Sequence, residues 1–160
     1  MPNEMRPAEL DETDRRILRV LARDARTPNN AIAAAVGIAP STCLGRIRAL
    51  RERGIVHGHH TDIDLAALGL PLQAMIAVRL GAHTRGQVDS FLDHAAGLPG
   101  VISVFNLSGG NDFLLRVAAS SADALRDFIL DHITSHPGIQ HTETSLIFTH
   151  RRGAAALSAL

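Results

Sequence analysis

The second half of the chain contains a duplication that restricts its topology more tightly than any other feature. Asp93-His-Ala-Ala-Gly-Leu-Pro-Gly-Val101 is echoed 38 residues later by Asp131-His-Ile-Thr-Ser-His-Pro-Gly-Ile139. The same offset lays the apolar run Met75 to Leu80 near Phe113 to Ala118, and Asp89 on Asp127. Each copy reads strand, helix, Pro-Gly turn, strand, which predicts strands over 72–80, 101–107, 112–119 and 139–149 and helices over 86–97 and 122–135. Two βαβ halves in tandem give βαββαβ, a ferredoxin-like arrangement with both helices on one face of an antiparallel sheet. The other face must be polar or take a partner. Strands such as Val101 to Leu107 and Thr142 to Phe148 alternate only imperfectly, so a face-to-face homodimer is expected.

The first half is of a different kind, so the chain is α+β. Asp11 followed by Asp14 supplies an N-terminal cap for a first helix whose buried face is Ile17, Leu18 and Leu21. Thr27 then Pro28 starts a second helix with the stripe Ala31, Ile32, Ala35 and Val36. Gly37 breaks the chain, and Leu44, Ile47 and Leu50 resume the stripe after Pro40, with Cys43 falling on it. Two short helices joined by a glycine turn fit a helix-turn-helix, which points to double-stranded DNA. Ser41, Thr42, Gly45, Arg46, Ala49, Glu52 and Arg53 then lie away from the stripe. This set is small and polar at its N-terminal end, where a recognition helix meets base edges, and basic further along, where phosphates lie. Ser41, Thr42 and Arg46 are the expected base readers, with Gly45, Arg48, Arg51 and Arg53 completing the DNA-binding set. Arg46 can fork onto guanine or pair with a phosphate, and either role suits its chemistry.

Charge is segregated to match. All sixteen basic residues are arginine, and they balance sixteen acids. Residues 1–60 nevertheless hold ten arginines against seven acids, while the remainder holds six against nine. A basic front and an acidic back suit a polyanion reader attached to something that is not one. No apolar run is long enough to span a bilayer, and the acidic N-terminal stretch does not read as a signal peptide, so no membrane partner and a cytoplasmic location are expected. The lone Cys43 cannot make an intrachain disulfide and is expected in the core. His57, His59 and His60 cluster, but neighbours on a strand point opposite ways and no cysteine accompanies them. Neither a metal site nor a cofactor is expected.

Leu10-Asp11-x-x-Asp14-x-x-Ile17-Leu18, Ala35-Val36-Gly37, Cys43-Leu44-Gly45-Arg46-Ile47-Arg48-x-Leu50 and Gly54-Ile55-Val56 follow one another in that order. Leu68-Gly69, Gly109-x-x-Asp112-Phe113-Leu114-Leu115 and Pro137-Gly138-Ile139 with Thr142-x-Thr144 continue the series. This series gives the chain, over nearly its whole length, a resemblance to the leucine-responsive regulator (Lrp/AsnC, or feast/famine) family. It implies a transcription regulator and no catalytic residues. Such regulators bind DNA as dimers, often assembled into rings of four, and an amino acid or related metabolite modulates them from a contact between ferredoxin-like domains. Carried over, the effector residues are Gly109, Gly110, Asn111, Asp112, Thr142 and Thr144. Exposed backbone N–H groups of a glycine turn can hold a carboxylate and Asp112 an ammonium group, although Ser-Gly-Gly-Asn-Asp is also what a tight hairpin wants.

The expected organisation is a helix-turn-helix domain over 1–56, a linker over 57–71 with a helical turn at Leu65 to Leu68, an effector-binding and oligomerisation domain over 72–150, and a tail over 151–160. Two departures from the family bear on the recognition helix. Ala39 stands where a capping serine is usual, a loss of about 0.5–2 kcal/mol unless Ser41 takes over by starting the helix two residues later. Gly45 replaces a large polar residue at about 1 kcal/mol of helix propensity. An alternative on the same plan is a siroheme-decarboxylase-like enzyme, for which His83, Arg85, Arg116 and His141 would have to converge.

Overall fold

The computed structural model describes residues 9–81, 84–151 and 153. The chain forms two compact units, one holding the residues up to Thr61 and the other Asp62–Arg151.

The first unit consists of α1 (Glu12–Arg23), α2 (Asn29–Val36) and α3 (Pro40–Glu52). Asp11 caps α1, its Oδ1 accepting from the Asp14 backbone N–H at 2.8 Å. Thr27 does not cap α2. Pro28 occupies that position and its carbonyl accepts from Ala31 and Ile32, while the Thr27 hydroxyl donates to the Asp24 carbonyl. Gly37 ends α2 at φ +76°, where its own N–H donates to the Ala33 and Ala34 carbonyls. That left-handed geometry is what glycine permits cheaply. Arg16 of α1 ties in the same helix end, donating to the Ala35 carbonyl at 2.9 Å.

Ile17, Ile32, Ala33, Val36, Cys43, Ile47 and Leu50 form the core of this unit. Two expected stripes are shifted. In α2, Ala33 is buried while Ala31 and Ala35 are exposed. In α3, Leu44 is 49% exposed, while Cys43, also expected on the stripe, is fully buried. Helical geometry explains the second correction: at about 100° per residue, positions 43, 47 and 50 share an arc of roughly 60°, whereas 44, 47 and 50 spread over about 120°. Nor does Ser41 become the cap. Pro40, with its preset φ, opens the helix directly after Ala39, which makes no side-chain capping bond. The Asn29 side chain instead donates to the Pro40 carbonyl at 2.8 Å and links the starts of α2 and α3.

The second unit is built on β1 (Leu72–Leu80), α4 (Arg85–Ala96), β2 (Val101–Asn106), β3 (Phe113–Ala119), α5 (Ala122–Phe128) and β4 (Ile139–Leu146). The strands form one antiparallel sheet in the order β2-β3-β1-β4, the ferredoxin-like arrangement. Ala74, Ile76, Val78 and Leu80 of β1 and Phe113, Leu115 and Val117 of β3 bury one face against Phe91, Ala95, Leu125 and Ile133. The Phe91 and Phe113 rings sit 4.7 Å apart at its centre. Their opposite face carries half-buried Met75, Ala77 and Leu114 with exposed Phe105, edged by Arg79, His141 and Glu143. The second helix of the duplication is not uniform, for after Phe128 it widens into a π-helical turn over Ile129–Thr134, where the Thr134 hydroxyl donates to the Ile129 and Leu130 carbonyls.

Gly100 shows why its Pro-Gly turn needs glycine. Its φ is +86°, its carbonyl accepts from Ala118 N–H at 2.8 Å, and an added Cβ would lie 2.8 Å from the Ala118 carbonyl oxygen. A helical turn at Leu65 to Leu68 precedes β1, with Leu70 N–H donating back to the Leu65 carbonyl. Among the described residues no helix is long and apolar enough to cross a membrane.

Candidate nucleic-acid interface and effector loop

The arginines of α3 divide between two sides of the helix. Arg46 and Arg53, seven residues apart, lie on the side facing the start of α1. The Arg46 guanidinium reaches Asp11 Oδ2 at 2.6 Å and Asp14 Oδ1 at 2.9 Å. Arg53 donates to the Glu9 carbonyl at 2.8 Å. Asp11 thus caps α1 and clamps α3 with one carboxylate. The Asp14 N–H and the Arg46 guanidinium hold its carboxyl below the usual carboxylate range, and the two acids in turn hold Arg46 more firmly protonated. The expected base reader Arg46 is therefore engaged inside the unit. Nothing local in the sequence links it to acids more than thirty positions away; only packing brings them together.

Away from that side lie Ser41, Leu44, Gly45 and Arg48, all exposed. Ser41 and Leu44 are three apart and Leu44 and Arg48 four apart, so they make one ridge. Arg48 has no ion-pair partner among the described residues. Arg51 donates to His59 Nε2 at 3.1 Å, which makes that ring nitrogen the acceptor. Thr42 is exposed, and a Cβ added at Gly45 would meet nothing within 4 Å. Burial pushes the Cys43 thiol above its ordinary range.

In the second unit, Gly109 to Asp112 form the turn between β2 and β3, closed by Leu107 N–H donating to the Asp112 carbonyl at 2.8 Å. The Asp112 carboxylate already accepts from the Leu80 N–H at 2.7 Å, fastening the turn to the end of β1. Thr142 and Thr144 are not beside it. Val78 of β1 pairs with Phe113 on one side and Thr142 on the other, and Ile76 pairs with Thr144. One strand therefore separates the turn from the threonines, a distance of about 9–10 Å.

The residues of the decarboxylase alternative do not converge. Arg116 is bound to Gln73 Oε1 and pairs in register with Met75, His141 pairs with Arg79 four residues along β1, and Arg85 sits on exposed α4 beside Asp89. His83 lies outside the described residues, as does most of the expected tail.

Comparison with known proteins agrees with this layout. Residues 10–51 match the AsnC-type helix-turn-helix domain and residues 73–152 the Lrp/AsnC ligand binding domain. The HTH-type transcriptional regulator AldR of Mycolicibacterium smegmatis is 50% identical over 156 residues, covering 98% of this chain and 91% of the relative. Among solved structures, that of AldR from Mycobacterium tuberculosis superposes with a TM-score of 0.74 at 46% identity, covering 90% of this chain and 98% of the other. A Neisseria meningitidis transcriptional regulator solved as its L-Met complex gives 0.83 at 31% identity, with 91% and 94% covered.

Proposed function

As this chain belongs to the Lrp/AsnC family and is a DNA-binding transcription regulator rather than an enzyme, we propose that it reads its operator as a homodimer, with α3 in the major groove of cytoplasmic DNA. Ser41, Thr42 and Gly45 meet base edges, Arg48 meets a guanine or a phosphate, and Arg51 lies toward the backbone. Arg46 and Arg53 contribute through the pose of the helix, since each is tied to the start of α1. The carrying observation is the exposed ridge on α3 opposite the buried row Cys43, Ile47 and Leu50.

The effector is an amino acid or a related small metabolite, a reading supported by the L-Met complex of the Neisseria relative. The Gly109–Asp112 turn receives its carboxylate and ammonium groups, and Thr142 and Thr144 of a second copy supply the hydroxyls that β1 keeps away from the turn within one chain. The contact between copies that this requires allows assembly beyond the dimer, up to the family's ring of four dimers. The mixed face of Met75, Ala77, Leu114 and Phe105 is the expected dimer surface.

Fluorescence anisotropy against the duplex upstream of its own coding sequence, with and without a panel of L-amino acids, tests both parts. Salt-sensitive binding that prefers this duplex over a scrambled one, and an affinity that changes with an amino acid, are expected. Equal affinity for both duplexes would overturn the operator reading. An amino-acid effect that survives Asp112→Asn undiminished would overturn the placement of the effector.

A further inference from the structure

We propose that Leu44 is a specificity-determining residue, which recognises the 5-methyl group of a thymine in the major groove. The inference rests on the operator reading above and extends it to a residue whose spacing suggested a core role. Among the described residues up to Thr61, Leu44 is the one large apolar side chain left exposed. Its position gives that exposure meaning. It sits in the second turn of α3, in the N-terminal half from which a recognition helix reaches base edges. It lies between Ser41 and Arg48 on the ridge opposite the side that Arg46 and Arg53 occupy.

Leu44 carries no polar atom in its side chain, so it can make no phosphate contact and no hydrogen bond to a base edge. The major groove offers one apolar feature that distinguishes a base, the thymine methyl. Gly45 beside it is exposed and has no side chain, which lets the helix backbone, and Leu44 with it, approach the groove floor closely.

The test selects the tightest-binding duplex from a random pool with the full chain. It then replaces each thymine in turn by deoxyuridine, which removes the 5-methyl group alone. At one thymine per half-site the replacement is expected to weaken binding about fourfold, the worth of taking one methyl out of water. Leu44→Ala is expected to bind the thymine and deoxyuridine duplexes alike at that position, and Leu44→Met to keep the preference. Far-UV circular dichroism and thermal unfolding of both variants confirm that the fold is retained, as exposure of the side chain predicts. Absence of any deoxyuridine effect, or the same effect in Leu44→Ala, would overturn the assignment while leaving operator binding intact. A change in sedimentation of Leu44→Ala without DNA would overturn it in favour of a contact between copies. Failure of the pool to yield any duplex preferred over random would refute the operator reading itself.

Discussion

Replacing Arg46 by alanine separates a clamp from a DNA contact, and the structure sets the expected size of the effect. The guanidinium side chain is 34% exposed and bridges Asp11 and Asp14, whose side chains are 51% and 10% exposed. The Asp11 leg is open to solvent and contributes little by itself. The Asp14 leg matters more: Arg46→Ala leaves a nearly buried carboxylate without its cation, and removing one partner of such a pair costs more than the pair was worth. With solvent screening on the arginine side, a loss of about 1–2 kcal/mol is expected. In a unit of this size each kcal/mol moves the melting temperature by roughly 4–8 °C. Arg46→Ala should therefore unfold the first unit roughly 4–16 °C early, and Asp14→Ala combined with it should add much less than its own separate cost.

DNA binding gives the decisive readout. A clamp residue weakens binding to every duplex and leaves the salt dependence unchanged, because it releases no counterion. A phosphate contact would instead flatten the slope of log K against log salt by about 0.9 per protomer. The acid limb of stability should agree. Asp11 has its carboxyl lowered by the Asp14 N–H and Arg46, so its contribution is present above its unfolded value near pH 4 and is lost as pH falls through the lower folded value. Asp11→Asn should remove that part of the acid sensitivity. An Arg46→Ala variant with unchanged melting temperature and a flattened salt slope would refute the clamp.

Gly45→Ala is expected to stabilise the first unit by about 1 kcal/mol, since its Cβ meets nothing and alanine is the better helix former; a higher melting temperature together with weaker operator binding would show that the glycine serves the groove approach. Gly100→Ala should destabilise the second unit by about 2–4 kcal/mol in urea unfolding, because it combines a left-handed φ with a 2.8 Å clash on a backbone carbonyl. Cys43, the single thiol, is buried with its pKa raised, so a disulfide-exchange reagent should label it only as fast as the first unit opens; rapid labelling of the folded protein would contradict its place in the core.

The duplication made the second unit legible because strand and helix periods are local, and Pro-Gly turns mark where they change. β1, α4 and β2 follow the expected ranges closely. Two features there were not legible. The π-helical turn after Phe128 depends on how the second copy packs, since the matching first copy stays regular. The separation of Thr142 from Asp112 depends on strand order, which a motif read along the chain does not carry. In the first unit the number of helices, the Gly37 turn and the burial of Cys43 were readable, but the stripe also took in Leu44, which is exposed. Three apolar positions at spacing 44, 47, 50 and three at 43, 47, 50 look equally periodic, and only the width of the arc they cover tells them apart.

The charge surplus of residues 1–60 overstates the surface available to DNA. Arg16, Arg46 and Arg53 donate to groups of their own unit, and Arg19 pairs with Glu12. Among the described residues this leaves Arg48 of α3 without an ion-pair partner, and Arg51 bound to a histidine nitrogen that carries no negative charge. Alanine at Arg48 should therefore flatten the salt slope by about 0.9 per protomer, and alanine at Arg51 by nearly as much once its histidine partner yields to a phosphate. Arg53→Ala should flatten the slope less than Arg48→Ala, because Arg53 lies on the side of α3 facing the start of α1, where it is tied to the Glu9 carbonyl. Slopes measured from 50 to 300 mM salt by anisotropy rank the three variants. If Arg53→Ala flattens the slope as much as Arg48→Ala, the side of α3 facing α1 opens on binding, and the division of the helix into a held side and a reading side is wrong.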